Sequence, residues 1–226
     1  MEPAWKDWHL KKEGTVEPEA PLLKELLQQN QQNRVLDVGC GTGRHVAYFA
    51  SYGFEVYGFD RDESSVASAK ETLRTRSLGG DLRTIDMNDT FPYQAGFFDA
   101  ALAVRVVHHT YTRNIVKIIR EIDRVLEDGG FLFLQVPSYE TETFDDETVW
   151  AEPGTLIARG GAEKGVPHHF FKREELLALI PNYGVLAMHA KSDHYGGYCL
   201  IAQKKEANQS RPKAPIFISM LDEDLR

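Results

Sequence analysis

The segment that most constrains the fold of this chain runs from Val35 to Gly43 and reads VLDVGCGTG. Its first four residues predict a short buried strand. Its three glycines predict a tight turn that leaves no side chain between the backbone and a bound ligand. A helix predicted over 44–52 and a strand predicted over 54–59 complete a βαβ unit, and Asp60 follows directly.

The residues around the turn indicate which ligand it fits. A dinucleotide fingerprint requires a small residue at its sixth position, which here, counted from Gly39, is Arg44. Asp37 would repel a diphosphate but favours a ligand with an ammonium group. Asp60 follows the turn by about twenty residues, where an acid holds ribose hydroxyls. S-adenosylmethionine combines an ammonium group, a ribose and an adenine without phosphate, so we expect it as the cofactor.

The pattern DVGCGTG over residues 37–43, followed by Asp60, resembles motif I and the second-strand acid of the class I S-adenosylmethionine-dependent methyltransferases. The resemblance extends over about residues 34–205. It implies an α/β fold with a doubly wound, mostly parallel seven-stranded sheet that ends in an antiparallel C-terminal hairpin, the Rossmann-like methyltransferase fold. A glycine turn that binds no ligand is the structural alternative.

Periodicity along the rest of the chain agrees with this fold. Apolar spacing predicts helices over 21–32, 44–52, 63–76, 114–126 and 172–180. It predicts strands over 35–38, 54–59, 82–86, 97–107, 131–136, 184–192 and 198–204. The residues Asp128-Gly129-Gly130 are predicted to end the helix before the fifth strand. Alternating strands and helices indicate a parallel sheet, and the last two strands are predicted to form a hairpin.

Three regions are expected along the chain. Residues 1–33 are predicted to supply an N-terminal cover, with Trp5 and Trp8, and the first helix. Residues 34–205 are the predicted methyltransferase domain. Within it, residues 137–170 form a lid at the carboxyl end of the sheet, where open α/β sheets bind ligands. Residues 206–226 are a C-terminal tail whose apolar part is expected to dock on its own domain or on a second subunit.

Composition limits the partners and the setting of the chain. Its 226 residues suit one α/β domain, and its formal charge of −8 argues against a large nucleic-acid footprint. Two cysteines are too few for a disulfide framework. No apolar run is long enough to cross a bilayer, and the first residues lack the features of a secretory signal. We expect a cytoplasmic monomer or homodimer that acts on a small-molecule substrate, without a membrane partner.

The resemblance also implies which residues hold the cofactor. The first acid and the glycine turn would face its methionine part, and the second-strand acid would bind the ribose. Asp86 and Met87 match the adenine-binding position, although Asp86 has an alternative as a plain turn residue. The end of the fourth strand would pass beside the methionine part and face the substrate. The predicted cofactor-binding residues are Asp37, Gly39, Cys40, Gly41, Asp60, Arg61, Asp86, Met87, Ala103 and Val104.

Five residues are candidates for chemistry on the acceptor. Histidine titrates near neutral pH, so two histidine pairs are candidate bases for an acceptor that must lose a proton. The first pair could instead cap the next helix, and the second could only anchor the lid. Arg105 could hold an acidic substrate group, or pair with Asp99 or Asp123. No metal is expected, because adjacent histidine pairs on separate loops lack the usual ligand spacing. The predicted catalytic residues are His108, His109, Arg105, His168 and His169.

The end of the fourth strand narrows the substrate class. Methyltransferases of base amines or glutamine amides carry an Asn/Asp-Pro-Pro-aromatic motif there, whereas this chain has RVVHH over residues 105–109. That segment and residues 167–176 resemble small-molecule methyltransferases of the methyltransferase type 11-like group, which includes quinone-biosynthesis enzymes. The stretch before residue 167 resembles tellurite-resistance methyltransferases.

We therefore expect methyl transfer from S-adenosylmethionine to a small molecule. One alternative is a regulator that binds S-adenosylmethionine without turnover. Another is a nicotinamide-dependent oxidoreductase, which Asp37 and Arg44 disfavour. A protein or RNA methyltransferase is a further alternative.

Overall fold

The computed structural model of the protein describes residues 16–140, 149–159, 163–191 and 196–206. Five helices lie in these ranges: α1 (Ala20–Gln29), α2 (Arg44–Ser51), α3 (Glu63–Thr75), α4 (Thr112–Val125) and α5 (Arg173–Ala178). The strands are β1 (Arg34–Val38), β2 (Glu55–Asp60), β3 (Asp81–Thr84), β4 (Phe98–Val104), β5 (Leu126–Val136), β6 (Trp150–Glu152), β7 (Thr155–Ile157), β8 (Pro167–His169), β9 (Tyr183–Lys191) and β10 (Gly197–Lys204).

Seven of the strands form one sheet in the order β3-β2-β1-β4-β5-β10-β9. Neighbours among β1 to β5 run parallel. β10 runs antiparallel to both β5 and β9. The predicted doubly wound sheet with an antiparallel C-terminal hairpin is confirmed. Strand order reverses between β1 and β4, which opens a crevice at the carboxyl ends of these strands.

Apolar side chains cover both faces of this sheet. Every residue of β4 is buried, which explains its continuous apolar run, since a parallel strand packed on both faces has no solvent side. α1, α2 and α3 pack on one face, and α4 and α5 pack on the other. In α4, buried isoleucines recur at helical spacing at positions 115, 118, 119 and 122. The two packed layers hold the strand ends in fixed positions.

Several predicted boundaries are corrected by the structure. The first helix ends at Gln29 instead of residue 32, because residues 30–33 turn the chain into β1. The helix before β5 ends at Val125, and the strand begins immediately at Leu126. Leu126 pairs with Phe98, and the Asp-Gly-Gly segment forms a register shift inside the strand pair. The third strand stops at residue 84, so Asp86 lies in the turn that follows it.

The region predicted as a lid contains a second, antiparallel sheet of the strands β6, β7 and β8. We call it the small sheet. The backbone N–H of His169 donates to the carbonyl of His108 at 2.9 Å, which ties β8 to the loop after β4. Each of its strands is three residues long, too short for a periodic signal in the sequence. Closure of this region over a substrate stays a prediction.

Some predictions fall on residues outside the described ranges. They concern the N-terminal cover with Trp5 and Trp8, and the docking of the tail beyond residue 206. Within the described ranges, no helix has both the length and the apolar character needed to cross a membrane.

Candidate functional site

A cavity of about 410 Å³ opens at the carboxyl ends of β1, β2 and β4. This volume lies within the range of about 300–1,000 Å³ that is typical of small-molecule sites. The position is the crevice that the strand-order reversal predicts. Thirteen of the predicted site residues line it: Asp37, Gly39, Cys40, Gly41, Asp60, Arg61, Asp86, Met87, Val104, Arg105, His108, His109 and His168.

The glycine turn forms the floor of this cavity. Gly39 has a φ of +69°, and a Cβ placed there would overlap the side chain of Val106. The backbone therefore passes close to the loop after β4 only because the residue is glycine. Cys40 is buried within the turn, and its burial raises the pKa of its thiol well above the usual range. The thiol is thus a small packed group and a poor nucleophile at neutral pH.

Asp37 is a buried carboxylate at the edge of this turn, with 3% of the residue exposed. Burial raises its pKa to about 7; Arg44 opposes this rise and Asp60 adds to it. No described residue donates a hydrogen bond to its Oδ2. The nearest partner, His45 Nδ1, lies 4.0 Å away. Since a buried polar atom without a partner is rare, Asp37 fits a ligand that brings a donor of its own, such as an ammonium group.

Asp60 stands on the opposite side of the turn. Its Oδ2 accepts from the backbone N–H of Gly41 at 3.0 Å, and its Oδ1 accepts from the N–H of Asp62 at 3.0 Å. Both oxygens are thereby held in place, and each keeps a lone pair for a ligand hydroxyl. Together with the unpartnered Asp37, this geometry fits the ribose and the amino acid part of S-adenosylmethionine.

The loop after β3 supplies a third wall of the cavity. Asp86 Oδ1 accepts from the backbone N–H of Asn88 at 2.9 Å and from its side-chain amide at 2.7 Å. Asp86 is therefore a turn residue, which the sequence analysis gave as the alternative to adenine binding. It also lines the cavity beside Met87. The second oxygen of its carboxylate is available to an exocyclic amine of a bound base.

Two predicted site residues do not line the cavity. Ala103 is fully buried in the core, because successive side chains on a strand point to opposite faces and Val104 takes the cavity side. The same alternation on β8 separates His168, which lines the cavity, from His169. The ring of His169 contacts Thr155 Oγ1 at 2.8 Å and Glu175 Oε1 at 3.0 Å. His169 thus joins the small sheet to α5.

Arg105 directly follows β4 in a left-handed conformation with a φ of +56°, and its N–H donates to the carbonyl of Gln135. With the Gln135 amide oriented to satisfy its neighbours, its oxygen accepts from the Arg105 guanidinium at 3.1 and 3.3 Å. The amide nitrogen then donates to Glu17 at 3.1 Å. The predicted pairings of Arg105 are wrong, because Asp99 accepts from the backbone of residues 33 and 34, and Asp123 lies beside Lys204.

Gln135 lines the cavity and Glu17 contacts two of its lining residues, although the sequence analysis included neither. Glu17 is 6% exposed and pairs with Arg44 at 2.9 Å. Gln135 is 1% exposed and interrupts the apolar residues of β5, which was the one available signal. A polar residue that is buried inside a central strand needs partners, and here they are a guanidinium and a carboxylate.

Three histidine rings meet at the side of the cavity formed by the loop after β4 and by β8, which we call the acceptor end because the sequence analysis expects the acceptor there. The centroids of His108 and His109 are 3.8 Å apart, and those of His109 and His168 are 4.9 Å apart. Glu163, a further lining residue that the sequence analysis did not include, lies 3.1 Å from His168 Nε2. Burial, aided by the neighbouring histidines and Arg105, holds the pKa of His108 well below its usual range. His108 is therefore neutral at physiological pH.

Comparison with known proteins finds similarity to methyltransferases. Residues 36–134 match the family described as a methyltransferase domain. A ubiquinone biosynthesis O-methyltransferase from Xanthomonas axonopodis pv. citri is 33% identical over 154 residues, which cover 67% of this chain and 62% of that protein. A probable tRNA methyltransferase 9B from Bos taurus is 27% identical over 168 residues, covering 66% of this chain and 35% of that protein. The chain thus spans about three fifths of the length of the ubiquinone-pathway relative.

A solved structure extends the comparison to the fold. The crystal structure of a SAM-dependent methyltransferase from Methanosarcina mazei matches with a TM-score of 0.71 and 22% sequence identity. The match covers 84% of this chain and 98% of that one. At this identity the likeness concerns the fold alone.

Proposed function

We propose that the chain is an S-adenosylmethionine-dependent methyltransferase and that it methylates a small molecule bound in the cavity beyond the end of β4. One observation carries this proposal: two carboxylates flank a single glycine turn. Asp37 lacks a hydrogen-bond donor for its Oδ2 among the described residues, and Asp60 is fixed by backbone amides. The first suits an ammonium group and the second suits ribose hydroxyls.

When bound, S-adenosylmethionine supplies a methyl group: the carbon–sulfur bond breaks, its electron pair stays on sulfur, and the acceptor gains the methyl and gives up a proton. The protein contributes orientation and exclusion of water. Asp37 and Asp60 would fix the two ends of the cofactor. The loop over residues 104–109 would then form the wall between the transferred methyl and the acceptor.

The histidines differ in what they can contribute to proton removal. His108 is a weak base, because its pKa lies well below the usual range. His109 and His168 are the remaining candidates for the base, and their Nε2 atoms lie 3.8 and 3.1 Å from the carboxylate of Glu163.

A small-molecule acceptor is supported by the size of the cavity and by the charge of the chain. The volume of about 410 Å³ suits the cofactor together with a compact acceptor. The formal charge of −8 opposes a polyanionic acceptor such as RNA. A relative named for the O-methylation step of ubiquinone biosynthesis supports a hydroxyl as the accepting group.

Calorimetric titration with S-adenosylhomocysteine, with NADH in parallel, tests the proposal first. We expect micromolar binding of S-adenosylhomocysteine and none of NADH. Binding of NADH alone would identify an oxidoreductase instead. Release of S-adenosylhomocysteine during incubation with a panel of hydroxylated aromatic acceptors then tests turnover. Cofactor binding without turnover across the panel would favour a regulator, and retention on RNA at low salt would favour a nucleic-acid substrate.

A further inference from the structure

The three histidine rings at the acceptor end form a compact group that the sequence spacing does not indicate. His108 and His109 follow β4, whereas His168 lies on β8, far along the chain. The main-chain hydrogen bond between His169 and His108 brings these segments together. One ring nitrogen from each of the three histidines then lies within 4.8 Å of the other two.

Two ring nitrogens of these histidines are buried without a hydrogen bond. His108 Nδ1 has no hydrogen-bond partner in the described part of the chain, and the residue is 7% exposed. His168 Nε2 is also buried, and although it lies 3.1 Å from Glu163 Oε2, the two are not aligned as a hydrogen bond. Buried polar atoms without partners are rare, and here two of them belong to neighbouring rings that line the cavity. This arrangement indicates a ligand that accepts lone pairs.

The charges around the group favour a cation as that ligand. The described lining of the cavity includes five carboxylates and three guanidinium groups. Glu163 is the carboxylate nearest to the group, with oxygens 3.1 Å from His168 Nε2 and 3.8 Å from His109 Nε2. A carboxylate close to ligating histidines is a common outer partner of such sites.

We propose that His108, His109 and His168 bind one divalent transition-metal ion of the Zn²⁺ type, with Glu163 as their charged partner. Imidazole suits zinc and its first-row neighbours. At a Zn–N distance of about 2.0–2.1 Å, nitrogens around one tetrahedral ion lie about 3.4 Å apart. The three atoms lie within 4.8 Å of one another, so binding one ion would require them to approach by up to about 1.4 Å.

The site deepens the proposed function on which it rests, because it specifies the class of acceptor. Three protein ligands leave the fourth position of a tetrahedral ion open, as in catalytic zinc sites. That position would take an oxygen of the acceptor and lower the pKa of its hydroxyl, whose proton goes to solvent. The acceptor is then a molecule with a metal-binding hydroxyl, such as a catechol or an α-hydroxy carbonyl compound. The histidines then serve as metal ligands in place of the base considered above, because the metal itself lowers the pKa of the hydroxyl.

The test begins with chelator-treated full-length protein titrated with Co²⁺, whose visible absorption reports four-coordinate nitrogen ligation. We expect one equivalent to bind and Zn²⁺ to displace it. Loss of a residue that only hydrogen-bonds to a metal ligand weakens metal binding about 10–100-fold. Loss of a ligand itself should have a larger effect, so His109→Ala and His168→Ala should each weaken Co²⁺ binding by at least about 100-fold. Glu163→Gln should weaken it by about 10-fold. Far-UV circular dichroism and thermal midpoints verify that each variant folds.

His189→Ala is the matched control, because His189 lies in a separate group with Glu19 and Cys199. It should leave Co²⁺ binding unchanged. Binding that survives in His168→Ala but is lost in His189→Ala would overturn the proposal, as would absence of Co²⁺ binding by the wild-type protein. S-adenosylhomocysteine titration keeps the two proposals separate. Cofactor binding without metal binding rejects only the metal site, whereas metal binding without cofactor binding rejects the methyltransferase assignment.

Discussion

Asp60 accepts a hydrogen bond from the backbone N–H of Gly41 at 3.0 Å and thereby joins the end of β2 to the glycine turn after β1. Its other oxygen accepts from the N–H of Asp62 at the start of α3. The carboxylate is thus oriented before a ligand arrives. Such preorganisation reduces the entropy that binding must overcome.

Replacing Asp60 by alanine should weaken the binding of S-adenosylhomocysteine. Hydrogen bonds between a charged group and the ribose hydroxyls would be lost, on the order of 1.5–3 kcal/mol, or about 10–150-fold in Kd. Isothermal titration calorimetry measures the change. The control is Asp81→Ala, which removes a half-exposed acid that pairs with Arg83 outside the cavity. Equal affinities for the two variants would mean that Asp60 does not hold the ribose.

Gly39→Ala should destabilise the fold more than Gly53→Ala. Both glycines have a positive φ, +69° and +85°, so each alanine carries backbone strain of about 1–2 kcal/mol. At Gly39 the new Cβ also overlaps Val106, whereas at Gly53 no described atom lies within 4 Å. Overpacking adds about 1–3 kcal/mol. Denaturant unfolding of the two variants gives the difference, and the double variant Gly39→Ala, Val106→Ala should recover part of it.

The stability of the ligand-free protein should fall as pH rises because of Asp37. Burial raises its folded-state pKa from 3.8 to about 7. Between these values the folded protein holds a proton that the unfolded chain has lost. The stabilisation is therefore complete below about pH 4 and declines as pH rises towards 7, by up to about 1.4 kcal/mol per pH unit.

Asp37→Asn should remove this decline, as thermal unfolding at about pH 5 and about pH 8 would record. The wild-type protein should also release protons when it binds S-adenosylhomocysteine near neutral pH, because an ammonium group favours the ionised carboxylate. Calorimetry in buffers of different ionisation enthalpy measures that release. Equal proton release by wild type and Asp37→Asn would assign it to another group.

His169→Ala should lower the free energy of unfolding by about 2–4 kcal/mol, because a buried ring and its contacts with Thr155 and Glu175 are lost. His189→Ala, which removes a partly exposed ring bound to Glu19, should change it by less than about 1 kcal/mol. Urea unfolding compares the two variants. If the His169→Ala protein had normal stability but no longer bound S-adenosylhomocysteine, His169 would have to be a binding residue and not a structural one.

The sheet and the position of the glycine turn at its carboxyl edge could be predicted because their signals are local. The glycine turn, Asp37 and Asp60 lie within one βαβ unit, whose geometry the spacing determines. Ala103 and His169 do not line the cavity, because a shift of one residue along a strand reverses the face on which a side chain lies.

The other side of the cavity, around Arg105 and His168, is built by tertiary contacts between segments that are distant in the sequence, and residue spacing does not reveal such contacts. Gln135 reaches Arg105 only through the register that pairs it with Val104 on β4. Glu163 and His168 reach the loop after β4 through the small sheet, whose strands are too short to be recognised. These contacts could therefore be identified only from the structure.

The bond between His169 and His108 uses only main-chain atoms, so it does not depend on the side chains of β8 or of the loop after β4. Side chains of the small sheet can therefore differ without loss of the contact that holds this sheet beside the cavity. We expect such differences to alter the shape of that end of the cavity, while the glycine turn and the two carboxylates beside it keep their geometry.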